Sequence, residues 1–204
     1  MNNTALIVLV PIGTFYNFTA KTQPAKRICN ANNRMGGKDK GLIVWREKPL
    51  WQHVLSRLAP QTGKVCINAN RNMAIYRQSG LPVIGDSFPG FAGPLAGMLA
   101  ALEHIDTDWA AFSSCDTPAL PSDLVSRLWQ AKQTAPAVWS RSAERDHPVM
   151  ALLHVSVAET LAGFLAKGGR KVMSFFEEVG GHSVSFDDVP EAFTNINCPG
   201  DLLS

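Results

Sequence analysis

The stretch Lys64–Asp116, KVCINANRNMAIYRQSGLPVIGDSFPGFAGPLAGMLAALEHIDTDWAAFSSCD, alternates short apolar runs with amphipathic segments. Within it, Lys64–Asn68 (KVCIN), Pro82–Gly85 (PVIG) and Trp109–Ser113 (WAAFS) are short and almost uniformly apolar, so they read as buried strands. A helical pattern over Leu95–His104 lies between the second and third. Strands alternating with crossover helices predict an α/β three-layer sandwich, with a mostly parallel sheet covered on both faces. Each strand meets a polar residue at its carboxyl end: Asn68, Asp86 and Asp116. Ligands of open α/β sheets collect in the crevice beyond those ends, so three polar side chains arriving from three strands are candidates for one site.

Upstream, Ala5–Val10 reads as the first strand, and Pro49–Leu58 carries Leu50, Trp51, Val54, Leu55 and Leu58 as a helical stripe. Proline is tolerated in that first turn. Further helices are expected after an N-cap at Ser122 through Gln130, at Ser156–Ala166 and at Lys171–Val179. In the second half, Ala137–Ser140, Met150–Leu153 and Ser183–Phe186 are strand-like and separated by turns, which suits mixed or antiparallel pairing at one edge. With 204 residues, no internal repeat and no low-complexity linker, the chain is expected to form one domain over residues 1–204.

Nineteen Lys+Arg against 17 Asp+Glu give a formal net charge of +2, which supplies no basic field for nucleic acid or an anionic membrane. The expected partners are small molecules or other proteins. Cys29, Cys66, Cys115 and Cys198 are widely spaced, with no CxxC pair, so a reducing cytoplasm fits better than a disulfide framework or a zinc knuckle. The apolar run Ala5–Val10 has no preceding positive residue and is followed by Pro11, so a buried strand is preferred to a signal peptide. No stretch approaches the roughly 20 apolar residues of a membrane span. His53 and His182 fall in no ligand spacing and read as surface or cap residues.

The segment Arg34-Met35-Gly36-Gly37-Lys38-Asp39-Lys40 combines glycines, which allow close backbone approach, with fixed positive charge, a composition suited to a polyphosphate. By composition alone it serves equally as a solvated basic turn. It contains neither GxxxxGK[ST] nor a GxGxxG after a strand, which disfavours P-loop ATPases and Rossmann dehydrogenases.

RMGGKDKGL, followed in order by KPLWQHV, INANR, GPLAGM, CDTP, ERDHP, GGRKVM and NINCPGDL, resembles the motif series of bacterial molybdenum cofactor guanylyltransferases over Asn32–Leu203. The resemblance implies a nucleotide-diphospho-sugar transferase type of fold. It also implies a reaction in which GTP and molybdenum-bearing molybdopterin give the guanine dinucleotide cofactor and pyrophosphate. By the same resemblance Asp116 is the Mg²⁺ ligand, Lys40 and Arg34 act with it on the phosphates as the catalytic set, and Asn68 and Asp86 contact the guanine nucleotide. Arg145, His147, Gly169, Arg170, Asn195 and Asn197 fall in motifs of the pterin side. The nucleotide half is then about 1–118 and the pterin half about 119–204, with transient contact to molybdoenzymes or other cofactor-biosynthesis proteins and no role for nucleic acid or membrane.

One stretch departs from the pattern. The family passes from its first strand into Leu-Ala-Gly-Gly, three variable residues and then Arg-Met-Gly, whereas counting back from Arg34 puts Cys29 and Asn30 at the glycine positions. Pro11 to about Ala31 therefore replaces or interrupts the glycine loop, and a Cβ there crowds a ligand and restricts φ. The expectation is a weakened nucleotide site. It keeps two further readings open: a pterin-binding or delivery protein of the same family with impaired catalysis, and a cytidylyltransferase acting on the same pterin. A sugar-phosphate nucleotidyltransferase is a further rival within the enzymes.

Overall fold

The computed structural model describes residues 6–10, 39–88 and 93–196. Its main sheet has seven strands in the order β5-β4-β1-β6-β8-β7-β9. These are β1 (Leu6–Val10), β4 (Lys64–Asn68), β5 (Val83–Ile84), β6 (Trp109–Ser114), β7 (Ala137–Ser142), β8 (Arg145–His154) and β9 (His182–Ser185). A small hairpin pairs β2 (Val44–Trp45) with β3 (Lys48–Pro49). The helices are α1 (Leu50–Leu58), α2 (Met73–Arg77), α3 (Pro94–His104), α4 (Leu124–Ala131), α5 (Ala158–Ala166) and α6 (Val172–Glu178).

Period-two alternation splits the sheet's side chains between two cores. On one face, Ile67, Ala111, Val138 and Leu152 pack with Trp51, Val54 and Leu58 of α1, Tyr76 of α2, and Leu124, Val125 and Leu128 of α4. On the other, Cys66, Ala110, Phe112, Trp139, Ala151 and Leu153 pack with Leu95, Met98, Leu99 and Leu102 of α3, Leu161 and Leu165 of α5, and Phe175 and Phe176 of α6. Helix, sheet and helix form the three layers. Helix α3 is buried continuously from Leu95 to Leu102, because α5 covers the side turned away from the sheet. It starts at Gly93, whose φ of 73° and ψ of −158° place it where a Cβ is strained.

Strand directions are mixed. β4 and β5 are parallel, β7 and β9 are parallel, and β8 runs antiparallel to both β6 and β7, in keeping with the expected pairing at that edge. β1 lies where the first strand was expected, between β4 and β6, but runs antiparallel to both, with Leu6 opposite Asn68 and Ser114 and Val10 opposite Lys64. Thus β4, β5, β6, β7 and β9 share one direction, and β1 and β8 oppose it. LIVLV contains no polar residue to favour one face or one direction, so its pattern is compatible with either orientation.

Candidate nucleotide site

The site sits at the edge defined by the carboxyl ends of β4 and β6. There β6 runs into Cys115-Asp116-Thr117-Pro118, and Asp116 is only 4% exposed. One carboxylate oxygen accepts from Ser114 Oγ, two residues back at the end of β6. The other lies 3.1 Å from Lys40 Nζ, on the short 3₁₀ turn Lys40–Leu42. A buried ion pair gains little net stability, because desolvation offsets the attraction. Its worth is better sought in function: a fixed anion and a fixed cation meet at the sheet's ligand-binding edge.

A second pair lies at the adjacent strand ends. Asn68, 3% exposed at the end of β4, donates from Nδ2 to Asp86 Oδ1 at 3.0 Å. Asn70 donates to Asp86 Oδ2 at 2.7 Å, and its own Oδ1 accepts from the Asp86 backbone N–H at 2.8 Å. The Asp86 carboxylate is thereby held from both sides, with lone pairs left on each oxygen.

The chain's last described residues return to the same place. The Ile196 N–H donates to the Asp116 carbonyl at 2.8 Å, and Thr117 Oγ1 donates to Asn195 Oδ1 at 2.8 Å, so Asn195 is brought to the CDTP turn. His147, on β8, lies 2.8 Å through Nε2 from Ser142 Oγ and stacks on Phe193 at 4.6 Å between ring centroids. Burial foremost, and then the charge of Arg145, push the His147 imidazole down from 6.5 to about 4, with Asp146 opposing. His147 is therefore neutral in the fold, whereas in the unfolded chain it takes up a proton as pH falls below about 6.5. Its contribution to stability is complete above that value and is lost as pH falls toward 4. The melting temperature should decline over this window, and His147→Gln should flatten the decline when the two melting curves are compared across pH.

Arg170 and Gly169 are placed differently. Arg170 Nη1 donates to Leu165 O at 2.9 Å, near the end of α5, and to Gly169 O at 2.6 Å, while its guanidinium lies 5.7 Å from the ring of Phe88, two residues past Asp86. Arg170 thus borders Phe88, two residues after Asp86. A Cβ on Gly169 would lie 2.3 Å from the Phe164 ring, which gives that glycine a packing reason for its identity. His53, within α1, and His182, at the start of β9, donate from Nε2 to backbone carbonyls, of Trp45 at 2.7 Å and Ala131 at 2.9 Å. Arg34, Asn197 and the stretch from Pro11 to Ala31 lie outside the described residues.

Four neighbours of these side chains had no individual role assigned from the sequence: Ser114, Asn70 and Thr117, the last two within the motifs INANR and CDTP, and Phe193. Ser114/Asp116 and Asn68/Asn70 share a spacing of two, the period that returns side chains to one side of an extended chain, and this is the signal that points to Ser114 and Asn70. Among the described residues no cluster of three or more His, Cys, Asp or Glu could hold a metal. The buried Asp116 carboxylate supplies the hard anionic oxygens that suit Mg²⁺, which usually takes one or two protein carboxylates and completes its shell with water and substrate phosphates.

Residues 31–182 match the family model described as the MobA-like NTP transferase domain. The match begins where the atypical stretch ends. The chain is 49% identical over 170 residues to a molybdenum cofactor guanylyltransferase from Yersinia pestis, covering 83% of this chain and 87% of that one, and equally to one from Yersinia pseudotuberculosis. Among solved structures it resembles the molybdopterin-guanine dinucleotide biosynthesis protein A of Archaeoglobus fulgidus, with a TM-score of 0.67, 23% identity and coverage of 82% of this chain and 88% of that one. It also resembles the 2-C-methyl-D-erythritol 4-phosphate cytidylyltransferase of Thermus thermophilus, with a TM-score of 0.62, 16% identity and coverage of 80% and 90%. At these identities the structural likeness establishes the fold.

Proposed function

The chain belongs to the MobA-like NTP transferase family, and on that premise we propose that the strand-end cluster is its GTP site, with Lys40 and Asp116 on the phosphates and Asn68 and Asp86 on the base. The enzyme is a molybdenum cofactor guanylyltransferase, which transfers GMP from GTP to molybdenum-molybdopterin and releases pyrophosphate. The observation that carries the site assignment is the 3.1 Å approach of Lys40 Nζ to the buried Asp116 carboxylate, two groups 76 residues apart in sequence.

The attacking group is the terminal phosphate of molybdopterin, whose second ionisation near pH 6 leaves it mostly dianionic at neutral pH, so no general base is needed. Catalysis then rests on positioning and on charge placed where charge develops. Asp116 would hold Mg²⁺, which when bound together with phosphate oxygens supplies positive charge beside the α-phosphate. Lys40, with Arg34, neutralises the phosphate oxygens and the departing pyrophosphate. Asp86, an acceptor fixed by Asn68 and Asn70, meets the adjacent N1–H and N2–H donors of guanine. Cytosine and adenine each present a ring acceptor where guanine has N1–H, which leaves a carboxylate facing a lone pair.

The pterin half, about 119–204, contributes Arg145, His147, Gly169, Arg170, Asn195 and Asn197, and release of the product to molybdoenzymes entails transient contact with them. The reaction is assigned to the cytoplasm, and no helix among the described residues is long and apolar enough to cross a membrane.

Competition by GTP, CTP, ATP and UTP for pyrophosphate release in the presence of the pterin tests the assignment. GTP should be preferred by at least about tenfold, and a preference for CTP would overturn the guanylyl reading. Lys40→Ala should weaken Mg·GTP binding in a salt-sensitive manner, because the lost contribution is charge on phosphate. Calorimetry at two salt concentrations should show the variant losing about tenfold in affinity at low salt and less at high salt; equal affinities would remove Lys40 from the site.

A further inference from the structure

Asp39 precedes Lys40 and is 8% exposed. Both of its carboxylate oxygens accept hydrogen bonds. Oδ1 accepts from the Tyr76 hydroxyl at 2.8 Å and from the Gly41 N–H at 3.1 Å, and Oδ2 accepts from Asn72 Nδ2 at 3.1 Å. Tyr76 is fully buried and packs edge-on to Trp51 of α1 at 5.8 Å. Gly41 leaves room for this arrangement, since a Cβ there would lie 2.4 Å from the Tyr76 hydroxyl oxygen. Asn72 is the N-cap residue of α2, in left-handed backbone geometry at φ 54°.

We infer that Asp39 is a positioning residue for the transfer reaction, clamping the Lys40 turn onto α2 so that the Lys40 ammonium is held against Asp116. The inference rests on the phosphate role proposed for Lys40. A lysine side chain has four rotatable bonds, and little fixes its ammonium unless its backbone is itself fixed. Asp39 supplies that fixation: it caps the turn through Gly41 and ties it to Asn72 and Tyr76, in the segment between Asn68 and Asp86. The group proposed to meet the phosphates and the groups proposed to meet the base thereby share one hydrogen-bonded unit. Three protein donors already engage this carboxylate in a buried setting, which marks it as an anchor for the turn rather than a ligand for metal.

The test is a double-mutant cycle on Mg·GTP affinity, measured by calorimetry with the full chain and crossing Asp39→Asn with Lys40→Ala. Alone, Asp39→Asn should weaken binding by about tenfold, the scale of a lost charge-assisted hydrogen bond, and should reduce the salt dependence as Lys40→Ala does. In the Lys40→Ala background the same substitution should change affinity by less than about twofold. Tyr76→Phe, which deletes one donor and keeps the ring, repeats the cycle at about threefold and serves if Asp39→Asn does not fold.

An equal loss in both backgrounds would overturn the inference while leaving the role of Lys40 intact, as would parental affinity in both Asp39→Asn and Tyr76→Phe. If Lys40→Ala itself left affinity and salt dependence unchanged, the role of Lys40 and the inference built on it would fall together.

Discussion

Asp116→Asn should reduce Mg²⁺-dependent pyrophosphate release by a factor on the order of 10³, the loss typical of removing one preorganised electrostatic contact to a transition state. The fold should survive, because an asparagine can reproduce both contacts of the aspartate. Its amide oxygen can accept from Lys40, and its amide nitrogen can donate to a Ser114 hydroxyl rotated to accept. Volume is unchanged, and what disappears is the anionic charge a divalent cation requires. Paired measurements of turnover and melting temperature separate the two effects. Undiminished turnover in Mg²⁺ would remove Asp116 from the catalytic set, and a collapse in melting temperature would make the lost activity uninformative about chemistry.

The second large effect concerns the stretch before Arg34. A variant in which Val10 to Ala31 is replaced by a short turn containing Ala-Gly-Gly should bind Mg·GTP more tightly than the chain as it stands, because paired glycines return backbone donors to the ligand. Shortening the connection changes closure entropy only logarithmically, so without ligand the two proteins should melt within a few degrees of each other. With nucleotide at about 100 times its dissociation constant, linkage gives about 2.7 kcal/mol, which for a chain of this size is a shift of roughly 5–10 °C. At that same concentration the chain as it stands, binding more weakly, should shift by less.

The orientation of β1 adds a structural demand. Val10 pairs with Lys64, at the end of β4 away from Asn68, and a five-residue strand spans about 16 Å. A turn that begins there places the restored glycines at the end of the sheet away from Asp116, so for them to meet the nucleotide the variant must turn β1 parallel to β4 and β6. The uniformly aliphatic LIVLV presents no side-chain objection to that reversal. Equal thermal shifts in the two proteins would show that the native stretch already provides a competent nucleotide loop.

The elements that were legible in the sequence are those whose burial is written in their composition. KVCIN, WAAFS and the α3 segment PLAGMLAALEH are apolar because they are covered on two sides, and each appears where its pattern places it. Helix α2 carries no readable stripe in its five residues, and the β2–β3 turn uses Arg46 and Glu47 at φ 44° and 70°, where glycine or asparagine would have signalled the turn. Strand β8 begins at Arg145, not at the apolar Met150, because its polar amino-terminal end still pairs with β7.

At the site, the strand-end positions of Asn68, Asp86 and Asp116 followed from topology. The pairing of Lys40 with Asp116, and the return of Asn195 to Thr117 across 78 residues, depend on tertiary closure that no local spacing encodes. The direction of β1 was hidden for the opposite reason: a strand aliphatic on both faces contains no information about its orientation.

The most direct measurement follows the label of GTP carrying ³²P at the α-phosphate, incubated with the protein, Mg²⁺ and molybdenum-molybdopterin. The account predicts that label appears in a pterin dinucleotide in step with release of unlabelled pyrophosphate, and that γ-labelled GTP sends its label only into pyrophosphate. Pterin retained on the protein while all α-label stays in GTP would contradict it, and would leave the chain as a carrier of the pterin.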